Sequence, residues 1–211
     1  MPSDVRHPFF AWIYPRIAAS VEPLAQPHRI ELLSGLHGRV LEVGAGHGLN
    51  FPHYPATVTE VIAVEPEPAL RAQAIEAART APVPITVIDG TAESLPLGDA
   101  DVDAAVTCLV LCSVRDQDAA LAELRRVLRP GGELRFYEHV RAQDPRFARY
   151  QDVMRPLWKV VGGNCHTNRD TPAAIERAGF AISAIERFRF PPKGPPLPVL
   201  PHVLGRASSP A

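Results

Sequence analysis

The sequence predicts an α/β protein built on a parallel sheet, and three features predict it. Strand-like runs alternate with helical stretches through the middle of the chain. One run, Val102 to Val110, is nearly continuous in apolar residues, as a strand buried on both faces must be. The first run ends in a cluster of glycines, at the place where such sheets bind ligands.

Taken in order, Arg39-Val40-Leu41-Glu42-Val43 reads as the first strand and Val58 to Val64 as the second. Pro66 and Pro68 then punctuate the start of a helix running to about Arg79. Ile85 to Ile88 is a third strand and Val102 to Val110 the fourth. Asp116 can cap the next helix, on which Leu121, Leu124, Val127 and Leu128 share one face, and Pro130-Gly131-Gly132 stops it. A fifth strand follows over Glu133 to Val140. The stretch 141–170 fits no place in the sheet and is expected to form helices and a loop over the active site. Thr171 and Pro172 open a further helix as N-cap and first residue, and Gly179 closes it. Phe180 to Phe190 and His202 to Ala207 are the last strands, with six prolines between Pro191 and Pro201 marking a constrained link.

Composition narrows the classes of function. With 211 residues, 46% of them hydrophobic and 21% charged, the chain suits one globular domain with a sizeable core. A formal charge of −1 supplies no field to recruit nucleic acid or an anionic membrane, and no basic patch carries interleaved aromatics, so nucleic acid is not an expected partner. No apolar run approaches the ~18 residues that span a bilayer, so integral membrane association is not expected. Pro8 to Pro15 (PFFAWIYP) is too short for a signal-peptide core and no small-residue cleavage site follows it. It reads as a helix packed on the core that can also cover a substrate, with Phe10 and Tyr14 as candidate pocket residues. Cys108, Cys112 and Cys165 are too few and too scattered for a disulfide framework, which favours the cytoplasm. No cluster in the sequence has the ligand spacing of a metal site, and none is expected.

The first strand runs into Gly44-Ala45-Gly46-His47-Gly48. Glycine turns sharply there and lets the backbone approach a ligand, because no Cβ intervenes. A dinucleotide pattern, G-x-G-x-x-G, would put its third glycine at Leu49, which counts against a nicotinamide oxidoreductase. The pattern present is G-x-G-x-G preceded by Glu42. The second strand ends in Glu65, about 20 residues beyond the turn, where a carboxylate can accept hydrogen bonds from both hydroxyls of a ribose. The plain alternative is an acid favoured at a helix N-terminus beside Pro66.

Five segments follow one another in order: VLEVGAGHG, VEP, GTAESLP, VDAAVTCLVL and LRRVLRPGG. Together they resemble the successive motifs of class I S-adenosylmethionine-dependent methyltransferases, over roughly half the chain. The resemblance implies a Rossmann-like, seven-stranded, mostly parallel sheet with its last strand antiparallel, and N-terminal and internal lid segments. It implies S-adenosyl-L-methionine as cofactor and S-adenosyl-L-homocysteine as product. The backbone around Gly44, Ala45, Gly46 and Gly48 would hold the methionyl part, with Glu42 and Asn50 in support. Glu65, beside Pro66, would bind the ribose, and Ala92 with Thr91 and Glu93 would contact adenine. Cys108 and Leu109 would line the floor beside the methionyl amine. The acid usual before Ala92 is Thr91 here, which moves recognition of the adenine amino group to Asp89 or Glu93. The chain then divides into a helical flap (1–36), a cofactor-binding core (37–140), a substrate lid (141–170) and a C-terminal helix and strands (171–211), all in a single domain.

A narrower resemblance extends beyond those motifs. Asn50-Phe51 with Tyr54-Pro55, CLVLCSV over 108–114, Glu138-His139-Val140, Asn164-Cys165 with Arg169, and Pro201 to Gly205 are similar to the membrane-associated alkyl-thiol methyltransferases of animals and their soluble bacterial relatives. The animal proteins carry an N-terminal hydrophobic anchor that has no counterpart in this sequence. A small-molecule substrate is implied, with S-methylation of a thiol as the leading activity. O- or N-methylation in secondary metabolism, or of a quinone or lipid, is the alternative, and a non-catalytic cofactor-binding protein a more distant one.

Methyl transfer from a sulfonium requires alignment and exclusion of water more than acid–base power. A thiol of pKa about 8.5 is already partly ionised near neutrality, whereas a phenol or alcohol needs a stronger base. His139, after the fifth strand, and His166, in the lid, are the candidate proton acceptors; the plain alternatives are a histidine hydrogen-bonded within the loop for His139 and a solvated loop histidine for His166. Cys112 and Cys165 are candidate pocket walls; Cys108 and Cys112 read as small buried hydrophobes rather than nucleophiles. The Asn/Asp-Pro-Pro-Tyr run of nucleobase and amide methyltransferases is replaced by Thr107-Cys108-Leu109-Val110, and six Arg/Lys against three Asp in the lid suit a cationic amine poorly.

Overall fold

The computed structural model describes residues 8–210, with side chains from Ala11 onward. Seven strands form one sheet: β1 (Gly38–Val43), β2 (Val58–Val64), β3 (Ile85–Ile88), β4 (Val102–Cys108), β5 (Leu128–His139), β6 (Ala181–Arg189) and β7 (Pro201–Ser208). Their order is β3-β2-β1-β4-β5-β7-β6. The first five pair in parallel, and β7 runs antiparallel to both β5 and β6. This is the Rossmann-like sheet that the motifs implied.

The period of two along each central strand decides which helices cover which face. Val40, Val61, Ala63, Val106 and Tyr137 point to one side, where they pack with Leu32 and Leu33 of α1 (Pro8–Leu33) and Ala74 of α2 (Pro68–Ala78). Their neighbours Leu41, Ile62, Val64, Ala105 and Phe136 point to the other, against Leu121 and Leu124 of α3 (Gln117–Val127) and Ile175 of α5 (Thr171–Arg177). Each such side chain contributes roughly 1.5–3 kcal/mol when fully buried, so a register slip of one residue would be prohibitive.

Three of the boundaries that differ from the sequence reading have a plain physical cause. β4 stops at Cys108 rather than Val110, because Leu109 takes a positive φ of 63° and turns the chain out of the sheet. β5 begins at Leu128, five residues before the expected Glu133; Leu128 pairs with Val102, and Pro130-Gly131-Gly132 forms an irregularity inside the strand. The N-cap of α5 is Asp170, whose carboxylate accepts from Ala173 N at 3.3 Å, while Thr171 is the first helical residue. Asp116 caps α3 as expected, accepting from Asp118 N and Ala119 N.

The segment 141–170 folds as α4 (Pro145–Val161) and a loop, and one buried side chain fastens its helix. Gln151 is fully buried. Its Nε2 donates to Val140 O (3.0 Å), Thr167 O (2.8 Å) and Pro198 O (2.9 Å), and its Oε1 accepts from Ala142 N at 2.8 Å. The lid is therefore docked on both the end of β5 and the proline-rich link. On the flap, Tyr14 reaches the glycine turn, whereas Trp12 is 58% exposed. Residues 1–7 of the flap, and the side chain of Phe10, lie outside the described residues. No described helix is long and apolar enough to cross a membrane.

Gln151→Leu keeps the volume and leaves three carbonyls and one N–H without that partner. It should lower unfolding stability by about 2 kcal/mol or more, measured by urea denaturation. A loss within 0.5 kcal/mol would show that the segment is held without Gln151.

Candidate active site

The site lies where the carboxyl ends of β1, β4 and β5 meet. Gly44, Gly46 and Gly48 take φ of 66°, 59° and 87°, which only glycine adopts without strain. At Gly44 space also forbids a side chain, since a Cβ would lie 2.5 Å from Val110 Cγ2. The loop after β4 thus packs directly on the turn after β1.

Two buried carboxylates flank the turn. Glu65 Oε2 accepts from Gly46 N at 2.7 Å and Oε1 from Glu67 N at 2.9 Å. Burial pushes its carboxyl up to about 7, against the lowering effect of those two N–H groups. It lies ahead of α2, whose N-cap is Glu67, so the reading of Glu65 as a helix-terminal acid gives way to one in which it braces the turn. Glu42 accepts from Asn50 Nδ2 (2.9 Å) and Tyr54 Oη (2.7 Å), and burial likewise pushes it up to about 7.

A cation that the sequence reading missed closes this wall. Arg29 of α1 is 5% exposed; its Nη1 donates to Asn50 Oδ1 at 3.0 Å and Cys108 Sγ at 3.2 Å, and Nε pairs with Glu22 at 3.0 Å. Burial works against its charge, but Cys108, Tyr14 and Glu22 outweigh that and raise its pKa. The legible signal was spacing: Ala11, Ala18, Ala25, Arg29 and Leu32 share the buried stripe of the helix, so the arginine stands where an apolar residue belongs. Tyr14, Arg29, Glu42, Gly46, Asn50 and Cys108 line one narrow cavity with the turn. His47 Nδ1 is buried in that turn without a hydrogen-bond partner, as an atom awaiting a ligand's polar group would be.

The other cofactor candidates are placed less uniformly. Ala92 is buried between Thr91 and Glu93, and Pro66 follows Glu65. Glu93 Oε1 accepts from Arg115 N (2.8 Å) and Asp116 N (3.3 Å), which commits that oxygen to the turn before α3. Asp89 pairs with Arg71 at 3.1 Å, and Arg71 also holds the carbonyl of Glu65. Leu109, strained by its positive φ, donates its N–H to Tyr137 O at 2.7 Å and so ties the β4 loop to β5.

On the β5 side the fold gathers residues far apart in sequence. His139 Nδ1 lies 3.5 Å from Cys112 Sγ and 3.4 Å from Cys165 Sγ. The lid loop reaches this point through His166 N to Cys112 O (2.7 Å) and Asn164 Nδ2 to Ser113 O (2.6 Å). Burial, then Arg169, Lys159 and Arg155, push the His166 imidazole down to about 4. Behind His139 stands an aromatic wall that sequence reasoning did not find: His202 at 4.6 Å between ring centroids, then Phe188, Phe190, Tyr137 and His28. Strand alternation alone could not show it, because its members come from α1, β5, β6, the link after β6, and β7. A larger hollow along α3, lined by Asp118, Arg125, Arg126 and Arg177, is remote from these strand ends.

A family profile described as a methyltransferase domain matches residues 41–136. Thiol S-methyltransferase TMT1B of Homo sapiens is 37% identical over 185 residues, spanning 85% of this chain and 75% of that protein. The chain belongs to the class I S-adenosylmethionine-dependent methyltransferases. Thiol S-methyltransferase TMT1A of Homo sapiens is 34% identical over 172 residues, covering 80% of this methyltransferase and 69% of the relative. Among solved structures, a SAM-dependent methyltransferase from Thermotoga maritima superposes with a TM-score of 0.71 at 22% identity, over 95% of this chain and 98% of that one. The [4+2]-cyclase SpnF superposes at 0.69 and 18%, over 92% and 82%, which shows a shared fold and no more. The cofactor of this methyltransferase is S-adenosylmethionine, and the glycine turn, Glu65 and the unpartnered His47 nitrogen suit it.

As the ribose-binding group, Glu65 would serve as a carboxylate. Its carboxyl stands at about 7 without ligand, so binding below that pH must release a proton. Affinity for S-adenosylhomocysteine should be flat above about pH 8 and weaken toward tenfold per unit below about pH 6. Glu65→Gln should flatten the profile, and Glu65→Ala should cost roughly 1.5–3 kcal/mol of binding at neutral pH. Calorimetry reads both, and an unchanged dissociation constant in Glu65→Ala would move the ribose site elsewhere.

Proposed function

We propose that this methyltransferase methylates the sulfur of a hydrophobic small-molecule thiol. The observation that carries the reading is the likeness to the thiol S-methyltransferases, which extends over 85% of the chain and so beyond the 41–136 common to methyltransferase domains. When bound, S-adenosylmethionine supplies a methyl group on a sulfonium, already activated for in-line displacement.

The chain's residues then have these roles. The backbone at Gly44, Ala45, Gly46 and Gly48 holds the methionyl part, with Arg29 as counter-charge to its carboxylate, Glu42 and Asn50 in support, and Cys108 and Leu109 as floor. Glu65 and Pro66 meet the ribose, and Thr91, Ala92 and Asp89 the adenine, with Glu93 bracing that loop. The α1 flap and the 141–170 lid exclude water within one domain. The aromatic wall beside His139 suits an apolar acceptor.

Acid–base considerations favour sulfur. His166, held near 4, is far too weak a base for a phenol or an alcohol. His202 is buried, holds Leu200 O at 3.0 Å, and is pushed well below the ordinary imidazole value by burial. A thiol is a few per cent ionised at pH 7 unaided, so assistance at His139 suffices. Three free cysteines accord with a reducing compartment, which makes the cytoplasm the proposed location.

In a matched series, a hydrophobic thiol should be methylated at least about tenfold faster than the corresponding phenol, alcohol or amine. His139→Ala should depress turnover more near pH 6.5 than near pH 9, where the acceptor ionises in water. A tenfold preference for phenol or amine would defeat the thiol assignment. Arg29→Met should weaken S-adenosylhomocysteine about tenfold or more and leave adenosine, which has no carboxylate, within about twofold. Equal losses for both ligands would make Arg29 a packing residue.

A further inference from the structure

We propose that Cys112, His139 and Cys165 form a site for a thiophilic divalent cation of the zinc type, with its fourth position open to the sulfur of the acceptor. The sequence offers no metal-ligand spacing, since the three residues are separated by 27 and 26 positions. The fold brings their ligating atoms within 4.8 Å of one another.

The distances are those of a coordination shell. Bonds of ~2.3 Å to sulfur and ~2.05 Å to nitrogen at tetrahedral angles put the two ligand atoms about 3.5 Å apart. The separations from His139 Nδ1 are 3.5 Å to Cys112 Sγ and 3.4 Å to Cys165 Sγ. Two sulfurs and an imidazole nitrogen form a soft donor set, which selects zinc-type ions over magnesium or calcium. Two thiolates around a divalent ion are also charge-neutral, as a site with Cys112 at 0% and Cys165 at 3% exposure requires. Three protein ligands with a vacant fourth position is the pattern of catalytic rather than structural zinc.

Contacts outside the cluster hold the two loops that carry the sulfurs. Glu138 accepts from the N–H groups of Val110, Leu111 and Cys112, fixing the loop that carries the first sulfur. Arg169 Nη1 donates to Leu111 O (2.8 Å) and Val114 O (2.9 Å), which binds the lid loop, and Cys165 with it, to that same loop. His139 is the last residue of β5 and is only half-buried, whereas both cysteines are buried, so the open position is proposed on the histidine's side.

The role of the open position rests on the thiol reading above. An acceptor R–SH entering it would bind through sulfur and give its proton to solvent. The ionised sulfur would take the methyl group as the carbon–sulfonium bond breaks, leaving S-adenosylhomocysteine and a neutral thioether. A thioether is a weaker ligand than a thiolate, so the product would leave. Assistance at His139 would thus be supplied by the ion that it helps to hold.

The test is a titration of the full-length, fully reduced protein with Co2+ under anaerobic conditions. One equivalent should bind with a thiolate-to-cobalt charge-transfer band, and Zn2+ should displace it. Cys112→Ser and Cys165→Ser should each abolish the band or weaken binding at least tenfold, His139→Ala should weaken binding, and Cys108→Ser should retain the band. Circular dichroism and S-adenosylhomocysteine binding report whether each variant folds; if Cys112→Ser does not, Cys165→Ser on the lid loop decides. Addition of a small alkyl thiol should shift the band, and no shift would remove the open position. No saturable band in the reduced wild type, including a result in which the two cysteines merely oxidise to a disulfide, would overturn the site. So would binding undiminished in both serine variants. No acceptor turnover enters the titration, so the cation site survives if thiol methylation fails. Conversely, thiol preference in a protein that binds no cation would leave the methylation reading and defeat this one.

Discussion

The carboxylate of Glu138 holds the two halves of the active site at a fixed separation. It is fully buried in β5 and accepts three successive backbone N–H groups, from Val110 (3.1 Å), Leu111 (3.0 Å) and Cys112 (3.2 Å). Burial raises its pKa, and the three N–H groups counter that, so a cradle of backbone dipoles takes the place of an opposite charge. The loop fixed in this way packs Val110 on Gly44 and sets Cys112 beside His139, the residue next to Glu138. The glycine turn after β1 and the proposed acceptor side on β5 therefore share one brace. The lid is added to the same loop by Arg169 and by His166 N, and to the end of β5 by Gln151.

The cofactor side is built at a cost in stability. Glu42 and Glu65 both stand near 7 because burial disfavours their charge. A carboxyl raised in the folded state contributes stability below its unfolded pKa and loses it as pH rises through the folded value. For these two groups that loss falls between about 4.5 and 7, so at neutral pH the ligand-free site strains the fold. Arg29 offsets part of it at Glu42, and cofactor hydroxyls would offset part at Glu65. A site shaped for its ligand and unfavourable without it is a common compromise between stability and activity.

Most of the residues proposed for the acceptor side lie outside the region common to methyltransferase domains. His139, Cys165, Phe188 and His202 all follow residue 136, where the matched family region ends. A fold that also serves a cyclase leaves chemistry to such additions. Here the additions are the end of β5, a docked lid and an antiparallel pair of C-terminal strands.

Local patterns determined most of the fold and the cofactor half of the site. β2 and β3 stand where alternation and turn residues put them, the glycines of the turn adopt the left-handed φ that their presence announced, and Asp116 caps α3. These features depend on neighbours in the chain, so they are written in the chain. The boundary errors have the same origin: Leu109 leaves β4 through a hydrogen bond to Tyr137 in another strand, and Leu128 begins β5 by pairing with Val102. Arg29 was visible only as a charge on an apolar stripe. Glu138 stood out only as part of a resemblance, and neither its role nor those of Gln151 and the aromatic wall could be read from the chain. Their partners lie on other elements, and a single buried polar side chain has no periodicity to betray it. Cys112, His139 and Cys165 were each singled out by sequence, but only the packing of the lid against the ends of β4 and β5 brought two sulfurs and one nitrogen to a common point. Sequence sets the composition of such a group, and the distances that give it chemistry exist only once the chain has closed on itself.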